Sequence, residues 1–472
     1  MHGKWLCRTL VYACGILVVI TSFAYATPQD TPQTVAKLPT AVAAPAHQPR
    51  PAAEKPTAPA NEAGKTQVAQ WAGVPGAPLT AADLIRQAYT YSLYQDSANE
   101  RACLEQAVAL EPGSKDAGRA LALLAETYAK ADPARAEALF AQVEEGYSDP
   151  EVQAFATLVE ALAAAGTAKQ FDQVEQLLTS AAAACKGTPN GAWAELRLGD
   201  YYRFDAGDCE KAIPIFQGVL HEYGAGPVAE EAAVSLAESV DWAGENTRTE
   251  EAMELYQAAL AMTNDTSLRI RALVGLGGLY PEMKDWISCW DALSIVVDTY
   301  PTHPAAALAA ITRGYAAEQL GYWEAAVEDA EFYLASTNQQ QVWRAYANYV
   351  LAQDAFCAGG YDDAEAQFAF VAELAEKPHA VEYQAWAWAG IAACREMKGD
   401  LRGALQAYLE AADCAVYQRD KAVYLYPAAG LAHKLGDDAT AGRIADRMVA
   451  ELPGSHLTTR LLGHEVLPAP EI

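Results

Sequence analysis

From residue 80 to about residue 452, apolar side chains recur at three- and four-residue intervals, broken only at Gly, Asp or Asn. That period is helical, no stretch alternates apolar with polar residues, and no strand is expected. The clearest stretch is residues 271 to 301, RALVGLGGLYPEMKDWISCWDALSIVVDTYP. Leu273, Leu276, Gly277 and Tyr280 share one helical face, and a polar break follows at Lys284 and Asp285. Cys289, Leu293 and Val296 then share a face of a second helix, which Pro301 stops. The stretch therefore predicts a helical hairpin.

Degenerate copies of this hairpin flank it. Upstream, Leu198, Gly199, Tyr202, Ala212, Phe216 and Val219 keep the pattern if one extra residue is allowed before Asp208, and Ala252, Tyr256 and Ala259 mark another copy. Downstream come Gly314, Gly321, Trp323, Ala326 and Tyr333; then Leu351, Ala352, Gly359, Tyr361, Ala364 and Phe368; then Trp388, Ile391, Ala392, Gly399, Ala404, Tyr408 and Ala411; then Ala429, Gly436, Ala441, Ala445 and Pro453. Three Ala-rich pairs with poorly marked registers fill residues 83 to 185. The pattern resembles the tetratricopeptide repeat (TPR), whose copies run aromatic or Leu, Leu, Gly/Ala, Tyr, then Ala, Phe, Ala and a closing Pro. The small second-helix residues Cys289, Ala326, Ala364, Ala404 and Ala441 recur at a somewhat longer period than the family's 34 residues. The expected fold is all-α, an α-solenoid of about ten antiparallel helical hairpins over residues 80 to 455, with a loose tail from 456 to 472.

Antiparallel helices approach to about 8 Å only where the crossing carries small side chains. Gly277 opposite Cys289, and Ala392 opposite Ala404, are such crossings, while Leu293 and Tyr408 are expected to project between hairpins. The resemblance implies that residues one turn off this core line a concave groove. By register these are Trp193, Asp200 and Arg203, then Tyr315, Tyr346, Tyr349, Gln353, Trp386 and Tyr426. Tyr and Trp beside a few polar groups suit peptide binding, because they bury large area at small entropic cost. Their alternative role is packing between hairpins. The concave positions of the reference hairpin, Arg271, Val274, Gly278 and Pro281, are nearly featureless, which marks that hairpin as structural.

The ends of the chain change the picture. Lys4 and Arg8 precede an apolar run from Thr9 to Ile20 and then Ala24-Tyr25-Ala26, the form of a signal peptide cleaved after residue 26. The run is shorter than the roughly 20 residues of a spanning helix, and no later run could span a bilayer. Retention of the signal helix as an anchor is the alternative. Residues 27 to 79 are rich in Pro, Ala, Gln and Thr and poor in large apolar residues, so a disordered, semi-rigid tether is expected. These features point to export, to the periplasm or cell envelope.

Asp and Glu number 61 against 33 Lys and Arg, a formal charge of −28, so nucleic acid and anionic membrane surfaces are poor partners. A protein or peptide partner is expected, and a basic one matches the charge. Seven of the nine cysteines follow the signal segment, scattered without a Cys-x-x-Cys; Cys185 with Cys209 is the best candidate pair. No phosphate loop, nucleophile elbow or zinc-protease motif is present, since the Gly275 to Gly278 run lies inside a helix. No cofactor, no metal and no catalytic residue is therefore assigned. The resemblance implies a non-catalytic protein-binding scaffold of the bacterial envelope; an α/α polysaccharide-active enzyme or carbohydrate-binding protein is the alternative, and a ligand-free display spacer a third.

Overall fold

A computed structural model describes residues 79 to 462, apart from 225, 245–246, 337–338 and 375–380. The expected signal segment and the tether up to residue 78 lie outside the described residues. Among those described there are twenty-one α-helices and no strand. They are α1 Ala81–Leu93, α2 Ser97–Leu110, α3 Lys115–Tyr128, α4 Pro133–Gly146, α5 Pro150–Thr167, α6 Phe171–Ala184, α7 Pro189–Asp200, α8 Cys209–Tyr223, α9 Pro227–Gly244, α10 Thr249–Met262 and α11 Thr266–Leu279. There follow α12 Trp286–Thr299, α13 Ala306–Leu320, α14 Trp323–Ala335, α15 Gln341–Cys357, α16 Tyr361–Leu374, α17 Val381–Met397, α18 Leu401–Cys414, α19 Gln418–Lys434, α20 Asp438–Glu451 and α21 His456–Leu462. Consecutive helices pair into ten hairpins, so the fold is all-α as the periodicity predicts, with the TPR-like hairpin arrangement that the resemblance implies.

Two compact units divide the chain, Met1–Ala272 and Leu273–Ile472, and each is described by itself. Local chemistry sets the hairpins. Asp or Ser side chains cap many of the helices, as Asp132 does for α4 and Asp437 for α20, each accepting from the backbone N–H three residues on. Many of the turns inside hairpins hold one left-handed residue; Gly321, Gly359, Gly399 and Gly436 supply it, while Gln95, Lys169 and Lys284 adopt it without being glycine.

The crossings follow the small-residue pattern. In unit 2 the Cys289 thiol donates to the Gly277 carbonyl at 3.2 Å. A Cβ on Gly277 would stand 2.3 Å from Leu293, and one on Gly199 in unit 1 2.4 Å from Phe216. Leu293, expected between hairpins, thus lies on Gly277 of its own hairpin, because the missing Cβ opens that space. Phe368 does reach a neighbouring hairpin, where it would meet a Cβ on Gly390 at 2.7 Å. Cys289, Ala326, Ala364 and Ala404 are fully buried, whereas Ala441 in the last full hairpin is only half-buried. Ala404→Phe is expected to overpack its crossing with Ala392 and cost about 1–3 kcal/mol, read as a lower urea midpoint with unchanged slope.

Two further expectations need correction. The tail expected from residue 456 begins as helix α21, tied down by the buried Thr458 hydroxyl donating to the Leu452 carbonyl at 2.9 Å; residues 463–472 lie outside the described residues. Cys185 and Cys209 are not joined, and no disulfide links the described cysteines.

Candidate functional site

The groove candidates fall into two groups, one in each unit. In unit 1 the extra residue before Asp208 is absorbed as a π-helical turn, Tyr201–Asp205, continuing α7. An inserted residue widens a helix in this way and re-aims its side chains. Here it carries Arg203 into the interior, with its side chain 0% exposed. Its guanidinium donates to Asp200 at 2.9 Å and to Glu238 of α9 at 2.5 Å. Arg271 of α11 also donates to Glu238, at 2.7 Å to the oxygen Arg203 holds and at 3.1 Å to the other, and pairs with Glu231. Aromatic rings of Phe204, Trp242 and Phe216 surround Arg203, its Cζ lying 4.4, 5.2 and 5.6 Å from their centroids.

Burial alone would raise the pKa of Glu238, but the Arg271 and Arg203 charges outweigh it and hold the carboxyl below its ordinary range. For Glu231 burial wins, over Arg271, and its pKa is raised. Nearby on α2, burial pushes Glu100 up to about 7, with the Glu126 charge adding to the rise and hydrogen bonding by Ser92 opposing it. The signs differ in consequence. A carboxyl raised in the fold disfavours folding above its folded pKa, and that cost disappears as the pH falls toward the unfolded value; a depressed carboxyl such as Glu238 loses its stabilisation in acid. Thermal stability is therefore expected to rise from pH 8 to about pH 5 and fall below it. Glu100→Gln should raise the melting temperature at pH 8 and flatten the limb between pH 8 and pH 5, as followed by circular dichroism.

Asp200 and Arg203 are accordingly internal to unit 1. Trp193 packs edge-on against Phe155, centroids 4.8 Å apart, beside the core of Leu162, Leu178 and Tyr201. Arg271, featureless by its sequence register, is a central member of the buried network.

Unit 2 brings Tyr315, Tyr346, Tyr349, Gln353 and Trp386 together along α13, α15 and α17. Tyr346 is the buried anchor, 4% exposed, donating its hydroxyl to Glu318 at 2.9 Å. Its ring lies 5.9 Å from Tyr315 and 6.2 Å from Tyr383. Tyr349 lies 5.8 Å from Trp386, which meets Tyr383 edge-on at 5.2 Å. Gln353 donates to the Tyr349 hydroxyl at 3.2 Å. Trp286 extends the row through Tyr315 at 5.7 Å. Tyr315, Tyr349 and Gln353 are partly buried and Trp386 is 37% exposed, so the row is partly open to solvent above the buried Tyr346. Tyr426 on α19 is buried.

Sequence register missed Tyr383 and Glu318. Both had a signal: Tyr383 sits one turn before Trp386, and Glu318 three residues after Tyr315. Burial raises the Glu318 carboxyl, against the Tyr346 hydrogen bond, so its neutral form gains ground there. Rings spaced 5–6 Å apart favour edge-on and offset contacts; the outer members can extend the same stacking to a bound side chain. Among the described residues no group of three or more His, Cys, Asp or Glu is placed to hold a metal ion, and no helix is long and apolar enough to cross a membrane.

No family model matches the chain, and no curated protein matches it. Solved structures similar to it include a tetratricopeptide repeat protein from Parabacteroides merdae, at 17% identity over 58% of this chain and 98% of that one, with a TM-score of 0.37. Pseudomonas aeruginosa pilF aligns at 16% identity over 58% of this chain and 97% of its own, TM-score 0.31. The APC/C hetero-tetramer Cut9–Hcn1 aligns at 14% identity over 81% of this chain and 76% of that one, TM-score 0.38.

Proposed function

We propose that the protein is a non-catalytic scaffold, exported to the cell envelope, that holds a protein partner against the aromatic row of unit 2. The observation that carries this is the row itself: partly exposed Tyr315, Tyr349 and Trp386 are fixed on neighbouring helices beside the buried Tyr346, which is bonded to Glu318. A binding surface gains most from aromatic anchors whose positions are set before the partner arrives, because little side-chain entropy remains to be lost. The acidic chain, with 61 acidic against 33 basic side chains, supports a basic partner by electrostatic steering. The N-terminal sequence supports export, and the Pro-rich stretch from residue 27 supports a spacer between the array and its attachment point. The test is capture from an envelope fraction: the full chain retains a specific protein, and the Tyr349→Ala/Trp386→Ala chain does not. Equal capture by both would remove the aromatic row from the function.

A further inference from the structure

Two sheltered carboxylates of unit 2 hold their own cations. Asp329 of α14, 1% exposed, accepts two hydrogen bonds from Arg313 of α13, at 2.6 and 2.9 Å. The Arg313 guanidinium also lies 5.0 Å from the centroid of the Trp290 ring and donates to Asp298 at 2.8 Å. Glu365 of α16 has Arg395 at 2.8 Å and Lys398 at 2.6 Å.

Glu318, three residues after Tyr315 on α13, differs. It is partly buried, accepts the Tyr346 hydroxyl at 2.9 Å and, among the described residues, pairs with no Lys, Arg or His. Burial raises its carboxyl, opposed only by the Tyr346 hydrogen bond. Its charge is felt along the row: after burial, it is the next cause that holds the Tyr315, Tyr346 and Tyr349 hydroxyls above their ordinary range. Gln353, which donates to the Tyr349 hydroxyl, leaves its side-chain carbonyl oxygen buried without a donor.

We propose that Glu318 is the anionic centre of a cation subsite in the aromatic row, which takes a lysine or arginine side chain of the protein partner. The subsite belongs to the row proposed above to hold that partner, so its assignment rests on that reading. Five residues earlier on the same helix, Arg313 displays the completed arrangement, a guanidinium held between carboxylates and an aromatic ring. At Glu318 the carboxylate and the rings are in place, and the cation comes from outside. An ammonium or guanidinium only donates hydrogen bonds, which matches a carboxylate with one bond made and the Gln353 acceptor. Tyrosine and tryptophan rings attract cations, and the alkyl stem of Lys or Arg packs on apolar surface while its head keeps polar partners. An anionic ligand would instead meet Glu318 as a like charge. A cation seated beside Glu318 favours its ionised form, and a partly desolvated pair is screened less by salt than the general negative charge of the chain.

The test uses the full chain and four labelled twelve-residue peptides, Gly-Ser chains with a central Leu-X-Leu in which X is Lys, Arg, norleucine or Glu. The Lys and Arg peptides should bind saturably and at least tenfold more tightly than the norleucine and Glu peptides, the scale of a charge-assisted hydrogen bond. This comparison is made on the unaltered chain and needs no variant to fold. Glu318→Gln, whose amide oxygen still accepts the Tyr346 hydroxyl, should abolish the preference. Asp362→Asn removes the same charge from an exposed position on α16 and should leave it intact. Absence of saturable binding, equal binding of the four peptides, a preference that survives Glu318→Gln, or one lost equally in Asp362→Asn would each overturn the inference. Self-association of the unaltered chain that Glu318→Gln abolishes would assign the subsite to a second copy and overturn it as well. Envelope capture that depends on Tyr349 and Trp386 but is equal in Glu318→Gln would leave the scaffold reading standing and sink this one; a cation preference with no captured envelope protein would do the reverse.

Discussion

Replacing Arg203 by methionine lowers the unfolding free energy of unit 1 by about 3–5 kcal/mol, the range expected when one partner of a buried ion pair is removed. The side chain is fully buried and bridges two carboxylates, Asp200 at 2.9 Å and Glu238 at 2.5 Å. Without it Glu238 keeps Arg271, but Asp200 loses its guanidinium partner and retains the Tyr89 hydroxyl. An uncompensated buried carboxylate costs more than the packing of a methionine returns. Arg203→Lys is not expected to rescue, since a single ammonium cannot reach both carboxylates with the planar fork of a guanidinium. The matching control is Arg248→Met, whose partners Glu251 and Glu210 are exposed; that change should move stability by less than about 1 kcal/mol. Urea unfolding of the three variants checks the ordering. An Arg203→Met midpoint equal to that of Arg248→Met would mean the buried network contributes nothing net.

The second large effect falls on binding. Tyr349→Ala with Trp386→Ala is expected to weaken partner capture at least a hundredfold, since truncating a central aromatic anchor costs about 2 kcal/mol or more. Both side chains touch Tyr383 and each other, so their effects should be non-additive. The fold survives because neither is deep core: Tyr346, beneath them, keeps its bond to Glu318 and its contact with Tyr315. The control is Tyr322→Ala. Tyr322 is 53% exposed at the turn between α13 and α14, against Trp290, and its loss should leave capture unchanged. The measurement is a titration of labelled partner against each folded variant.

The helical hairpins were legible because their signal is local. A 3.6-residue apolar period is set by neighbours within a few residues and outlines all ten pairs, while a turn glycine and a small residue at the crossing mark mainly the later ones. Even the extra residue before Asp208 was visible, and it appears as the π-helical turn. What the register could not show is how neighbouring inner helices meet. Asp200 and Arg203 share a face with Trp193 by periodicity, yet they are buried, because Glu238 and Arg271 from other hairpins converge on them. Arg271 looked featureless for the same reason: its partners lie 33 and 40 residues away in sequence. In unit 2 the residues that the register put on one face, Tyr315, Tyr346, Tyr349, Gln353 and Trp386, lie close together in the structure. It could not tell the buried Tyr346 and Tyr426 from their partly exposed neighbours, since exposure there depends on which ring covers which.

The most direct test of the scaffold proposal is a photo-crosslinking scan of the full chain in intact cells, with a benzophenone side chain placed in turn at Trp386, Tyr349 and Tyr322. The account predicts a discrete adduct with one protein at 386 and 349, competed by unlabelled partner, and none at 322. Adducts at 322 equal to those at 386, or no adduct at either row position, would contradict it.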